Sequence, residues 1–192
     1  LTFPNLGRDL KVDRVDRDGI KMQRGIPVGA DAPNARDYVV CGRIFDGHKL
    51  EGRGADGALL AEREIGRIYA TGPSLMTGYF NNAEATAEAI GADGFLDTGD
   101  MGYLLDGEIV ITGRAKDLIL HNGRNIWPQD IEWAAEKYNE LKYGDVAAFA
   151  VEKTDGDDDV VVLVECRTVE SSAQAILRRD GGKLVHQGSG VD

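Results

Sequence analysis

The stretch from Phe95 to Trp133, FLDTGDMGYLLDGEIVITGRAKDLILHNGRNIWPQDIEW, constrains the fold more than any other part of the chain. A Thr98-Gly99-Asp100 turn is followed by two apolar runs, Tyr103 to Leu105 and Glu108 to Thr112, separated only by Asp106-Gly107. Asp and Gly reach positive φ at little cost, so this dipeptide between apolar strands predicts a two-residue β-hairpin. The small or polar residues Gly113-Arg114-Ala115-Lys116-Asp117 then interrupt the pattern, and a short strand, Leu118 to Leu120, leads into the turn His121-Asn122-Gly123-Arg124-Asn125. Pro128 opens a helix with Asp130 and Glu132 near its positive end, and Ile131, Ala134 or Ala135 and Tyr138 recur at helical spacing. Trp127 and Trp133 read as packing residues of the same small domain.

By residue type, Asp100 is a turn or cap residue. A carboxylate at a strand end also matches the two donors of a vicinal ribose diol. TGD with its hairpin, then GRAKDLI, then NGRNIWPQDIE resembles the late core motifs of the acyl-adenylate-forming superfamily, and NGRNIWPQDIE is similar to the form found in its fatty acyl-AMP ligase branch. The resemblance implies that Asp100 binds the nucleotide ribose and that Arg114, whose guanidinium keeps its charge near an anion, makes a second ribose or phosphate contact. It implies that Lys116 is the hinge of a mobile C-terminal domain, absorbing a large change of φ and ψ. The loop Gly123-Arg124-Asn125 would swing towards the active site in one of two domain poses. Without the resemblance, residues 113 to 117 are a solvated linker with an ion pair worth at most about 1 kcal/mol. A hinge is also a linker, so the two are compatible.

Upstream, Ile65 to Phe80 resembles the superfamily's GEI-strand-GPS-GYW segment, with Arg67 where the family usually carries Glu. Simple alternation points Arg67 outward. Asp97 stands where relatives often carry Arg, Lys or an aromatic residue, and it receives no role. Residues 1 to 37 are broken by Pro and Gly, with Leu10, Val12 and Ile20 suited to a short edge strand on a surface excursion. The position of residues 10 to 37, just before Val39-Val40-Cys41-Gly42-Arg43, matches the insertion that separates fatty acyl-AMP ligases from acyl-CoA ligases. The resemblance implies that this insertion restrains the C-terminal domain or blocks the coenzyme A route.

Short strands at Tyr38 to Cys41, Gly47 to Leu50 and Ile65 to Thr71 predict a small barrel or a meander. Asn81 to Ile90 is a helix with an Asn cap and an alanine face expected to pack closely, stopped at Gly91. Asp145 to Val151 and Val160 to Cys166 are strands around a solvated acidic tip without EF-hand spacing, and Ser171 to Leu177 begins a helix. Beyond Arg178 no periodic apolar face continues. The family places a catalytic lysine further on; Gly182-Lys183 imitates its motif in two letters, so no catalytic residue is assigned. The expected fold is α+β. A small distorted β-barrel-like subdomain (1–114, the end of a large adenylating domain) precedes a hinge and a small, incomplete α+β C-terminal domain (115–192).

The 192 residues, 42% apolar and 29% charged, compose a globular protein, and an acidic net charge of −11 argues against nucleic-acid binding. No apolar run reaches the roughly 18 residues of a membrane span, no signal pattern opens the chain, and the cytoplasm is the expected setting. Cys41 and Cys166, outside any metal-type cluster, are expected to be reduced and buried, and no metal site is assigned. The opening at Leu1 suggests a piece of a longer protein. The implied activity is activation of a fatty acid with ATP and Mg2+ to an acyl-adenylate, delivered to an acyl carrier protein or a polyketide or nonribosomal synthase. By the same resemblance the phosphate-binding loop, the acyl tunnel and the catalytic lysine are expected to lie outside the chain, which is expected to be inactive alone. Alternatives are an acyl-CoA ligase of the same superfamily and a degenerate copy retained as an interaction module.

Overall fold

Strict period-two alternation along residues 35 to 42, with Arg36, Tyr38 and Val40 buried and Asp37 and Val39 exposed, makes this segment the inner wall of a sheet. The computed structural model describes residues 2–4, 7, 9–121, 124–136, 141–142, 144–151 and 159–165, with the backbone alone at 120, 121, 124 and 125. It divides into two units, Leu1–Lys116 and Asp117–Asp192. The first contains β1 (Thr2–Phe3), β2 (Val12–Asp16), α1 (Arg17–Lys21), β3 (Ala35–Ile44), β4 (Lys49–Arg53), β5 (Gly66–Thr71), α2 (Ala83–Ala89), β6 (Leu96–Leu105) and β7 (Glu108–Arg114). One 3-10 turn, Ala115–Asp117, follows. The second contains β8 (Ile119–His121), β9 (Arg124–Ile126), α3 (Pro128–Glu136), β10 (Val146–Val151) and β11 (Asp159–Val164). Among the described residues no helix is long and apolar enough to cross a membrane.

In the first unit seven antiparallel strands run in the order β1-β3-β7-β6-β5-β4, with β2 also on β3. The sheet is open, which corrects the barrel-like expectation. Closure needs the end strands to pair, and β1, two residues long, pairs with β3. The consecutive strands β4 to β7 form a meander, while β3, expected in the same meander as β4 and β5, pairs with β7 instead of β4. The hairpin turn has φ of 52° at Asp106 and 73° at Gly107, as the dipeptide requires. Strand β6 starts earlier than expected, so Thr98-Gly99-Asp100 lies inside a bulged strand rather than in a turn. Gly102, on the same strand, must be glycine: a Cβ there would lie 2.3 Å from the Val110 carbonyl oxygen.

Residues 10 to 37 lie largely at the surface, as expected, but are anchored in the core at Asp13, Val15, Gly19, Ile20, Gly25 and Arg36. The edge strand β2 pairs Val12 with Val39 and Asp16 with Ala35. Asp16 ends it and caps α1 by accepting from the Gly19 amide at 2.9 Å, so Ile20 is helical rather than part of the strand. Val15 and Ile20 are buried. The Asp13 carboxylate is buried too, accepting from the Tyr103 hydroxyl at 2.6 Å and from Arg63 at 3.0 and 3.2 Å. Arg63 holds a left-handed φ of 65° because its amide donates to Leu104 O (3.0 Å) and its carbonyl accepts from Gly25 N (2.8 Å). Gly25 lies against the Tyr103 ring, where a Cβ would come within 2.9 Å. A buried carboxylate is tolerated because its oxygens are bonded and its charge is paired.

Helix α2 has the expected cap, Asn82 accepting from Ala85 N at 3.0 Å, but buries none of its residues, against the expected close packing. Alanine methyls leave too little apolar area to require cover. Cys41 is a free, half-buried thiol rather than a buried one, on a strand face opposite Val40. In the second unit Ile119, Ile126, Ile131, Ala135, Val146 and Ala148 form the core. Trp127 joins the buried set, whereas Trp133 is 37% exposed and packs only in part. Arg124-Asn125, expected in a loop, belong to β9, with Asn125 opposite Leu120. The second sheet pairs β10 with β11, Phe149 opposite Val161. Gly123, Tyr138, Cys166, Lys183, the acidic tip and the helix expected from Ser171 lie outside the described residues.

Burial, and then the bond to Asp13, push the Tyr103 phenol well above its ordinary 10.0. The native state therefore keeps a proton that the unfolded chain releases. Stability from this source is complete below the unfolded value and falls as pH rises beyond it. Tyr103→Phe should cost about 1–3 kcal/mol in urea unfolding at neutral pH and flatten the alkaline loss of stability; an unchanged alkaline slope would contradict this.

Candidate functional site

From the Asp106-Gly107 turn, the hairpin pairs Leu105 with Glu108, Leu104 with Ile109, Tyr103 with Val110 and Gly102 with Ile111. The next pairs are Met101 with Gly113 and Asp100 with Arg114, so Thr112 is an extra residue on β7. A regular ladder would have set Asp100 opposite Gly113. The bulge instead brings Arg114 across from it, with Arg114 Nε 2.9 Å from Asp100 Oδ1. Arg114 Nη1 also donates to the Thr98 carbonyl at 3.4 Å. The side chains are 55% exposed for Arg114 and 28% for Asp100, so the pair orients the carboxylate more than it stabilises the fold. Among the described residues Asp100 Oδ2 has no bonded partner.

The loop of chain before Asp100 is held by side chains. Thr98 Oγ1 donates to Ile68 O at 2.7 Å and accepts from Asp100 N at 3.1 Å. Asp97 Oδ1 accepts from Gly99 N at 2.9 Å and from Arg67 Nε at 2.8 Å. Gly99 sits at φ 74°. Asp97 and Arg67 both depart from the family pattern, and neither carries a role by residue type alone. Arg67 is exposed as expected, and these two departures are bonded to each other. The available signal was local: Asp and Thr habitually bond the backbone two residues on.

Of the residues singled out in the sequence, Asp100 and Arg114 are brought together. Lys116 is exposed in the 3-10 turn and is the last residue of the first unit. Arg124 and Asn125 lie in β9 of the second. Surface depressions at Thr77 to Ile90 and around Pro4, Lys11 and Val39 are not lined by Asp100 or Arg114. A ribose fits the pair: one carboxylate oxygen is steadied by a guanidinium and the other has open lone pairs. Magnesium finds no ligand set among the described residues, where no three His, Cys, Asp or Glu are grouped.

No family model matches the chain. A Caulobacter vibrioides (strain NA1000 / CB15N) protein provisionally named acyl-CoA synthetase is 48% identical over all of this chain and 34% of its own length. The medium-chain-fatty-acid–[acyl-carrier-protein] ligase JamA of Moorena producens (strain JHB) is 41% identical over 59% of this chain and 20% of its own length. A solved structure from work on the fatty acyl-adenylate ligases of E. coli and L. pneumophila superposes with a TM-score of 0.87 at 38% identity, covering 99% of this chain and 34% of that one. The chain thus spans about a third, or less, of the length of the proteins it matches.

Gly99→Ala places a side chain at φ 74° with ordinary space around it, the nearest atom being Arg114 Nη1 at 3.6 Å. It should cost about 1–3 kcal/mol, whereas Arg114→Gln should cost less than about 1 kcal/mol. Urea unfolding of the two variants gives the order, and a larger loss for Arg114→Gln would contradict a surface pair.

Proposed function

From its place among the acyl-adenylate-forming ligases, to which this chain belongs, we propose that Asp100 and Arg114 hold the ribose of an adenine nucleotide in a ligase that activates a fatty acid. The carrying observation is the pairing of Arg114 Nε with Asp100 Oδ1 at 2.9 Å across a bulged ladder. Arg114 stands against Oδ1 as an ion pair; the open lone pairs of the carboxylate accept the two ribose hydroxyls. The fatty acid carboxylate oxygen forms a bond to the α-phosphorus of ATP, the bond from that phosphorus to the bridging oxygen breaks, and pyrophosphate leaves. Asp100 touches none of these atoms. Its contribution is to fix the nucleotide so that attack is in line. Magnesium, when bound, neutralises phosphate charge.

Residues 1–114 are then the end of an adenylating domain, with an insertion at about 10–37, and 115–192 a mobile C-terminal domain pivoting at Lys116. The change of compact unit immediately after Lys116 supports that pivot. Gly123, Arg124 and Asn125 are proposed as the segment that approaches the site in one domain pose. The acceptor of the acyl group is proposed to be an acyl carrier protein, supported by the similarity to JamA. A second reading, coenzyme A as acceptor, is favoured by the greater identity to the Caulobacter protein. Supplying the protein, at the full length of its reading frame, with both acceptors separates them by the thioester formed.

In that full-length protein Asp100→Asn should lower ATP–pyrophosphate exchange with a long-chain acid by about 10- to 100-fold, chiefly through KM for ATP. Unchanged exchange would remove the ribose assignment. The 192-residue chain by itself should release no pyrophosphate, and clear turnover would contradict a division of the catalytic groups between this chain and other sequence.

A further inference from the structure

Strand β6 is irregular on both sides of Asp100. Its register with β5 shifts between the pairs Arg67–Met101 and Tyr69–Asp97, and its register with β7 shifts between Met101 and Gly102. Gly99, immediately before the candidate carboxylate, has the left-handed φ of 74°. On the β7 side the ladder sets Asp100 across from Arg114, but on the β5 side no pair is registered between Asp97 and Met101, so the backbone that carries Asp100 is held by the ladder from one side only. Side chains supply what the ladder lacks: Thr98 replaces a ladder amide by donating to Ile68 O, and Asp97 holds the Gly99 amide.

The Asp97 carboxylate is 20% exposed and Arg67 47% exposed, and the guanidinium Nε lies 2.8 Å from each Asp97 oxygen. An unpaired carboxylate at this exposure gains hydration by rotating away from a single amide. A guanidinium on the neighbouring strand removes that gain and keeps Oδ1 on Gly99 N. The chain of contacts runs from Arg67 to Asp97, to the Gly99 amide, to the backbone that aims Asp100.

We infer that Arg67 and Asp97 are positioning residues for the ribose-binding carboxylate, setting the direction of Asp100 through the Gly99 amide without touching the nucleotide. This rests on the ribose reading of Asp100. It assigns specificity for the sugar diol to a surface ion pair, whose contribution to stability alone is small.

The test is equilibrium binding of ATP and of 2′,3′-dideoxy-ATP to the protein at the full length of its reading frame. The ratio of the two Kd values reads the diol alone. The wild type should prefer ATP by at least about tenfold, since two charge-assisted hydrogen bonds are lost with the hydroxyls. Arg67→Gln and Asp97→Ala should each reduce that ratio about threefold or more while dideoxy-ATP affinity and the thermal midpoint stay near the wild-type values. Arg67→Lys, which keeps the cation, should preserve the ratio. The double variant should be no worse than Asp97→Ala, because both act on one amide. An unchanged ratio in Arg67→Gln and Asp97→Ala, with the wild type still preferring ATP, overturns the inference. So does an equal loss for both nucleotides, which would mark general damage. A wild type that does not discriminate is a separate result: it removes the ribose reading, and the inference with it.

Discussion

The extra residue at Thr112 decides what faces what in this structure. Counting from a two-residue turn, an antiparallel ladder fixes every pair, and a slip of one residue sends a side chain to the opposite face. The skipped Thr112 supplies that slip and sets Arg114 across from Asp100. Its cost is visible in place: the Thr112 side chain is buried and its Oγ1 has no hydrogen-bond partner among the described residues. Gly102 lies at the same irregularity, and the approach of Val110 O to its Cα face excludes any side chain. An unsatisfied hydroxyl and a glycine in a central strand are local losses retained where a carboxylate and a guanidinium must meet.

Around that irregularity the fold is firm. The buried Asp13 carboxylate, bonded by Tyr103 and Arg63, ties residues 10 to 37 to β6, the strand that carries Asp100. The excursion is therefore anchored to the core that carries β6, with Val15 fully buried. The site itself is held by weaker, half-exposed contacts. This division suits the proposed role, since a carboxylate proposed to accept a sugar has to keep lone pairs open, and a fully satisfied, buried one could not.

Local chemistry was the legible part of the sequence. The Asp106-Gly107 turn, the Asn82 cap and the Pro128 helix start follow from residue types at neighbouring positions, and all three stand in the structure. Much of what failed depended on partners far along the chain. Thr98-Gly99-Asp100 looked like a turn because its glycine signal is identical in a bulge, and only the β5 and β7 registers distinguish the two. Asp13 has the composition of a surface residue until Tyr103, ninety positions away, is brought to it. Ile20 alternates suitably for a strand, but Asp16 caps a helix before it. The open sheet is likewise an outcome of distant pairing, whereas the strand at Arg124–Ile126 pairs locally with Ile119–His121. Family resemblance singled out Asp100 and Arg114, which the ladder brings side by side, and gave no role to Arg67 and Asp97, whose meeting requires coordinates.

The central claim is that the paired carboxylate and guanidinium at the β6–β7 bulge form a sugar clamp. A crystal structure of the full-length protein with bound AMP addresses it most directly. The account predicts both ribose hydroxyls within about 3 Å of the Asp100 carboxylate oxygens, with Arg114 still against the carboxylate or turned to the sugar or phosphate. A nucleotide bound with its ribose away from Asp100, or with the hydroxyls facing solvent, would contradict it.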